Sequence, residues 1–168
     1  METIPEGWGE FGVAAAGATA ALAGLLIVAI SVNVKEILAS KVATRGASAT
    51  IGAMVLALVA SLVLLIPEQS TTAVGVELWI ALVPALVLQV ASIVTALREA
   101  RRRGSGVTPW VLVAVGGLAV AQFAPFLVGA GLLVTGRAAG LLGVAAGVVL
   151  VVVASMVAAW AMLVEVLR

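Results

Sequence analysis

Cysteine, histidine, tyrosine and aspartate are all absent from this chain of 168 residues. Without cysteine there is no disulfide framework, no redox pair and no thiolate metal site. Without histidine or aspartate the usual ligand sets for zinc and haem have no members. A serine–histidine dyad and a paired-aspartate membrane protease are excluded for the same reason. No metal, cofactor or catalytic residue is therefore expected. Charge is scarce too: 10% of residues are charged and the net charge is +1. In their place stands apolar material, 64% of the chain, with a mean hydropathy of +1.30. A soluble domain is about 45–50% apolar and about 25% charged. A sphere this small cannot hide so much apolar surface from water. These numbers exclude a soluble enzyme, a nucleic-acid binder and a disordered chain, and predict an integral membrane protein surrounded by lipid.

Crossing about 30 Å of hydrocarbon takes about 17–25 apolar residues in a helix. Five stretches qualify, at about 11–33, 48–66, 76–97, 109–135 and 138–164. Only the third contains a charge, Glu77, at its start. Backbone groups in lipid must bond internally, and the stretches do not alternate as barrel strands do. The expectation is an all-α, polytopic bundle of five transmembrane helices: one domain over 11–168, preceded by a short polar segment, 1–10. That segment is acidic, unlike the basic start of a signal peptide. The breaks fit this division. Pro67 to Ser70 end the second helix and the run 98–106 ends the third. Thr108-Pro109 reads as N-cap and first position of the fourth, and Thr135-Gly136-Arg137 as a turn.

The few charges orient the bundle. Lys35, Lys41 and Arg45 fall in the first loop, Arg98 and Arg101 to Arg103 in the third, and Arg168 at the end. With five spans these regions share a side, so eight of the nine basic residues are cytoplasmic and only Arg137 is outside. The N-terminus is then out and the C-terminus in, with the bacterial inner membrane as the location. Trp8, Trp79, Trp110 and Trp160 lie near helix ends, where amphipathic rings prefer to sit. The Arg101–Arg103 cluster reads as a topology anchor or as a hold for anionic headgroups, for which three consecutive basic residues are fewer than usual.

Lipid tails are as apolar as leucine, so membrane helices associate through close contact and a few polar bonds. Candidate packing glycines are Gly17 and Gly24 on the first helix and Gly140, Gly143 and Gly147 on the fifth. Such stripes pack helices of one protomer or build a homo-oligomer. Serine and threonine can bond back to their own helix. Gln89 and Gln122 carry more information, as each is an amide near mid-span. They form either an interhelical clasp or a polar lining for water or ions. Thr19, Leu26 and Asn33 recur every seven residues and share a face of the first helix. That face is a candidate pore lining with a constriction at Leu26, or Asn33 is simply a C-cap. Pro84 and Pro125 interrupt spans and can kink them. No span carries a buried carboxylate of the kind proton-coupled transport needs.

Residues 10–33 (EFGVAAAGATAALAGLLIVAISVN), with Ile66-Pro67-Glu68-Gln69 and Thr72-Ala73-Val74-Gly75-Val76-Glu77-Leu78, resemble small multi-pass membrane proteins of actinobacteria. These are often labelled modulator of FtsH protease. The resemblance covers roughly the first half of the chain and implies a regulatory membrane partner and no catalytic residues. The first helix also resembles, in pattern, the pore helix of Orai-type calcium channels, an Ala/Gly/Val-rich helix with one polar residue near its end. Here that residue is Asn33 and not a carboxylate, and five spans replace four.

Three functions follow as expectations. One is an oligomeric ion channel or pore, lined by the first helix, with Glu6 and Glu10 concentrating cations at the outer mouth. Another is a non-enzymatic adaptor or modulator subunit of a larger membrane complex, such as a membrane protease. Lipid or small hydrophobic ligand binding between kinked helices is a third.

Overall fold

The computed structural model describes residues 4–103, 116, 117 and 119–165. These residues form helices and turns, without strands. We number the helices α1 (Trp8–Val32), α2 (Val34–Ala39), α3 (Lys41–Val63), α4 (Thr71–Arg103), α5 (Ala124–Val134) and α6 (Gly140–Glu165). Four of them, α1, α3, α4 and α6, are long and apolar enough to cross a membrane. The fourth expected span is seen only in part: residues 109–115 and 118, with Trp110 and the proposed Thr108-Pro109 cap, lie outside the described residues. Its remainder is the shorter apolar helix Ala119–Val134. A turn at Gln122 and Phe123 divides this stretch, and Phe123 N–H bonds to Val120 O at 2.9 Å.

Helix ends follow local chemistry. The Ser40 side chain accepts from Ala43 N at 3.3 Å and starts α3 seven residues before the expected 48, within what the sequence suggested was loop. Ser70 does the same for Ala73 N at 3.2 Å, so α4 begins at Thr71. Gly136 closes α5 at φ 81°, a left-handed conformation that disfavours side chains. There Arg137 N bonds to Leu132 O and Gly136 N to Leu133 O, the paired bonds of a Schellman stop. The two expected proline interruptions fare differently: the stretch around Pro125 is broken, by the turn at Gln122 and Phe123, and the helix around Pro84 is not. α4 continues through Pro84, whose ring is exposed, and Pro125 sits in the first turn of α5, where its missing N–H costs nothing.

The long elements close a ring in the order α1, α3, α4, α5, α6, with α3 also packed across it on α6. Alanine makes α3 central. Ala49, Ala53, Ala57 and Ala60 are at most 3% exposed, and such short side chains let neighbouring helices approach. The outward surfaces are apolar as well. Val13, Leu25, Val32, Ile80, Leu142 and Trp160 are each more than 60% exposed, as expected of a surface that meets lipid or another apolar partner.

Charges separate to the two ends. Glu6 and Glu10 share a surface hollow with the 64–69 segment, and Gln69 Nε2 donates to Glu77 Oε1 at 2.8 Å. Gly75, near the start of α4, abuts Leu133 and Val134 at the end of α5. This end is acidic apart from Arg137. Lys35, Lys41, Arg45, Arg98, Arg101 and Arg102 lie at the opposite, basic end with Glu36 and Glu99.

Candidate functional site

The core divides into a dry half and a polar half. Toward the acidic end, Phe123, Phe126, Leu78, Leu82, Leu133, Leu141 and Val144 are at most 1% exposed and pack together. Toward the basic end, small residues leave space unfilled. A cavity of about 210 Å³ lies among α3, α4, α6 and the segment 119–122. Its walls include Gly46, Ala49 and Ala53 but also Thr50, Gln89, Ser92, Gln122 and Ser155. A second cavity of about 170 Å³ shares Gln89, Ser92 and Ala119 and extends along α4 to Leu97.

The two mid-span amides thus line one cavity. They do not clasp each other among the described residues. Gln122 Nε2 donates instead to Ala119 O at 2.9 Å, and Gln122 Oε1 is buried with no partner. The turn at 122–123 aims this amide back at its own backbone. Gln89 and Ser155, at 8% and 5% exposure, make no hydrogen bonds among the described residues. Leaving a buried acceptor unpaired costs about 1–3 kcal/mol. A cavity of this size admits several waters, which would meet that demand. Thr50 adds little, since its hydroxyl donates to Gly46 O at 3.1 Å. No charged side chain lines either cavity among the described residues.

The candidate pore face of α1 points into its own chain. Thr19, Leu26 and Asn33 are at most 2% exposed. The Thr19 hydroxyl donates to Ala15 O at 2.7 Å, and Asn33 joins α1 to α2 as the C-cap of one and N-cap of the other. The small-residue face is the outward one. A Cβ at Gly17 or Gly24 would meet nothing within 4 Å. Gly140, Gly143 and Gly147 are different, since each faces α5 with no room for a side chain: a Cβ at Gly140 would run into the Gly129 carbonyl, one at Gly143 would lie 2.7 Å from Pro125 O, and one at Gly147 would lie 2.5 Å from the Phe126 ring. Glu6 and Glu10 are exposed at the acidic end, beside Trp8, whose ring meets Phe11 edge-on at 5.8 Å.

The serine and threonine content of the cavity, spread over α3, α4 and α6, gave no periodic signal in the sequence. Ser155 is a lone hydroxyl among valines and alanines, and only the packing of α6 against α3 brings it to Gln89. No group of three acidic, histidine or cysteine side chains suited to a metal exists among the described residues. Comparison of the chain with protein-family models, with curated proteins and with solved structures finds no match.

Proposed function

We propose that this chain is a five-span membrane channel for small hydrogen-bonding solutes, with its path through the protomer's own bundle. The observation that carries this reading is the amide- and hydroxyl-lined cavity among otherwise apolar helices. Such a lining replaces part of a solute's hydration, as pore walls must. The absence of charge on the described walls favours water or an uncharged solute over an ion. Phe123 and Phe126 close the route toward the acidic end, so conduction requires these rings to move.

Connectivity supports five crossings. Arg103 lies at the basic end and Val134 at the acidic end, as an odd number of crossings requires. The described Ala119–Val134 helix supplies about 24 Å of that distance at 1.5 Å per residue. The positive-inside rule then puts the basic end in the cytoplasm, the N-terminus out and the C-terminus in, within a bacterial inner membrane. The chain lacks cysteine, so single cysteines introduced at Glu6 and Arg102 report their sides to an impermeant thiol reagent. Glu6→Cys should label from outside and Arg102→Cys only after lysis.

The functional test is stopped-flow light scattering of proteoliposomes challenged with water, urea and glycerol gradients. Wild type should exceed empty vesicles, and Gln89→Leu/Gln122→Leu should return to their level. Inserted wild-type protein that conducts neither these solutes nor monovalent ions ends the channel reading.

One observation favours the adaptor alternative. Gly17 and Gly24 present bare backbone on the outside of α1, a surface suited to another helix. That helix comes from a second copy in a homo-oligomer or from a larger membrane partner such as a protease. Cross-linking in native membranes from a position beside Gly24 distinguishes the two by the mass of the product.

A further inference from the structure

Four of the six described basic side chains at the basic end surround one hollow. Lys41 and Arg45 stand one turn apart at the start of α3, and Arg98 and Arg102 one turn apart near the end of α4. With Glu99 they wall a space of about 460 Å³. Glu99 is the one carboxylate on that wall and is already partnered, while none of the four cations is in an ion pair among the described residues. The two hydroxyls on the wall do not contribute donors. Thr44 donates to Ile37 O at 2.7 Å and Thr95 to Ala91 O at 2.7 Å. The four cations therefore set the sign of what the hollow accepts. The N-terminus of α3 adds positive potential from the same side.

Cations acting only as topology anchors need no common focus and would spread around the rim. Here two helices converge four of them. α4 has 33 residues and spans about 50 Å, well beyond a hydrocarbon core of about 30 Å. With the bundle in a bilayer, the Arg98–Arg102 turn reaches headgroup depth. Leu38 on the same wall is 70% exposed and offers an apolar rim.

We propose that the hollow between α3 and α4 binds a phosphate group, presented by the headgroup of an anionic phospholipid. The proposal rests on the membrane reading and is independent of conduction. The test is native mass spectrometry of the full chain released from nanodiscs of equal phosphatidylcholine and phosphatidylglycerol. Each cation near an anionic lipid is worth about fivefold in affinity, so Arg45→Gln/Arg98→Gln/Arg102→Gln should lose roughly a hundredfold of the wild-type preference for phosphatidylglycerol. Arg137→Gln, at the other end, should keep that preference. The charge-preserving Arg45→Lys/Arg98→Lys/Arg102→Lys should keep most of it, which separates lost charge from lost folding. Displacement of the retained lipid by millimolar inorganic phosphate would uphold the phosphate site and assign it to a soluble source, overturning the lipid. Equal retention of both lipids by wild type overturns the anionic-lipid assignment, since phosphatidylcholine carries a phosphate but no net charge, and the same preference in wild type and the glutamine variant overturns the site itself.

Discussion

Replacing Gly143 with alanine should destabilise the protein although alanine is the better helix former. An alanine Cβ there would lie 2.7 Å from Pro125 O and 2.9 Å from the Cα of Gly129. Both obstacles are backbone, so no rotamer change relieves them. To reach an ordinary contact of 3.4 Å, α5 and α6 must part by about 0.7 Å. A radial gap of that size forfeits about a quarter to a half of each dispersion well it opens. The apolar drive that water supplies is missing between helices in lipid, so this contact is what holds them. Overpacking of this kind costs about 1–3 kcal/mol, set against about 0.5–1 kcal/mol gained in helix propensity. The net loss of about 1–2 kcal/mol should lower Tm by roughly 2–8 °C for a chain of this length. The assay is thermal unfolding in neutral detergent, with Gly17→Ala as control. Nothing lies within 4 Å of a Cβ at Gly17, so that variant should match or exceed wild type. A Gly143→Ala protein as stable as Gly17→Ala would refute the close backbone approach of α5 to α6.

Thr71 is fully buried and its Oγ1 has no partner, so Thr71→Val should raise stability by about 1 kcal/mol, read as a higher Tm. Phe126 is 1% exposed against Gly147, and Phe126→Ala should lower Tm while raising solute flux in proteoliposomes by tenfold or more. Unchanged flux in a folded Phe126→Ala protein would remove the aromatic closure from the proposed path. Gly24→Leu fills open space on α1, so it should leave Tm near wild type and abolish cross-linking through that face. Persistent cross-linking would place the association surface elsewhere.

The long helices were legible because lipid fixes their length and demands internal backbone bonding. α2 was not: six residues around Lys35 and Glu36 carry no span-length signal, and it is the burial of Ile37 and the bonds from Thr44 Oγ1 and Ser40 N to Ile37 O that tie this turn onto α3. The break at Gln122 carried one signal, Pro125, which takes the first turn of α5, while the apolar alanines and phenylalanines around it gave none. The faces of α1 were the hardest to read. A soluble helix announces its inward side by contrast with polar residues. In lipid both sides are apolar, so Gly17 and Gly24 carry the same sequence signature as Gly143 and Gly147 while facing the opposite way.

The polar positions suffer from a related ambiguity that the fold resolves by filling space. Thr19 and Ser61 are each fully buried, yet each satisfies itself on the carbonyl four residues back, at 2.7 and 2.8 Å. Such residues cost the bundle little and require no neighbour. An amide at mid-helix has more groups to satisfy than one such bond supplies. Gln89 and Gln122 therefore create a demand that packing must answer with a partner or with room for one. Alanines on α3 and glycine at Gly46 supply room, and bulky Phe123 and Phe126 withhold it only on the acidic side. The division of the core into a polar, cavity-bearing half and a tightly packed apolar half thus follows from where the large rings and the small residues fall along antiparallel helices. It is this asymmetry, and not any single polar residue, that makes a path closed at one end the arrangement to test.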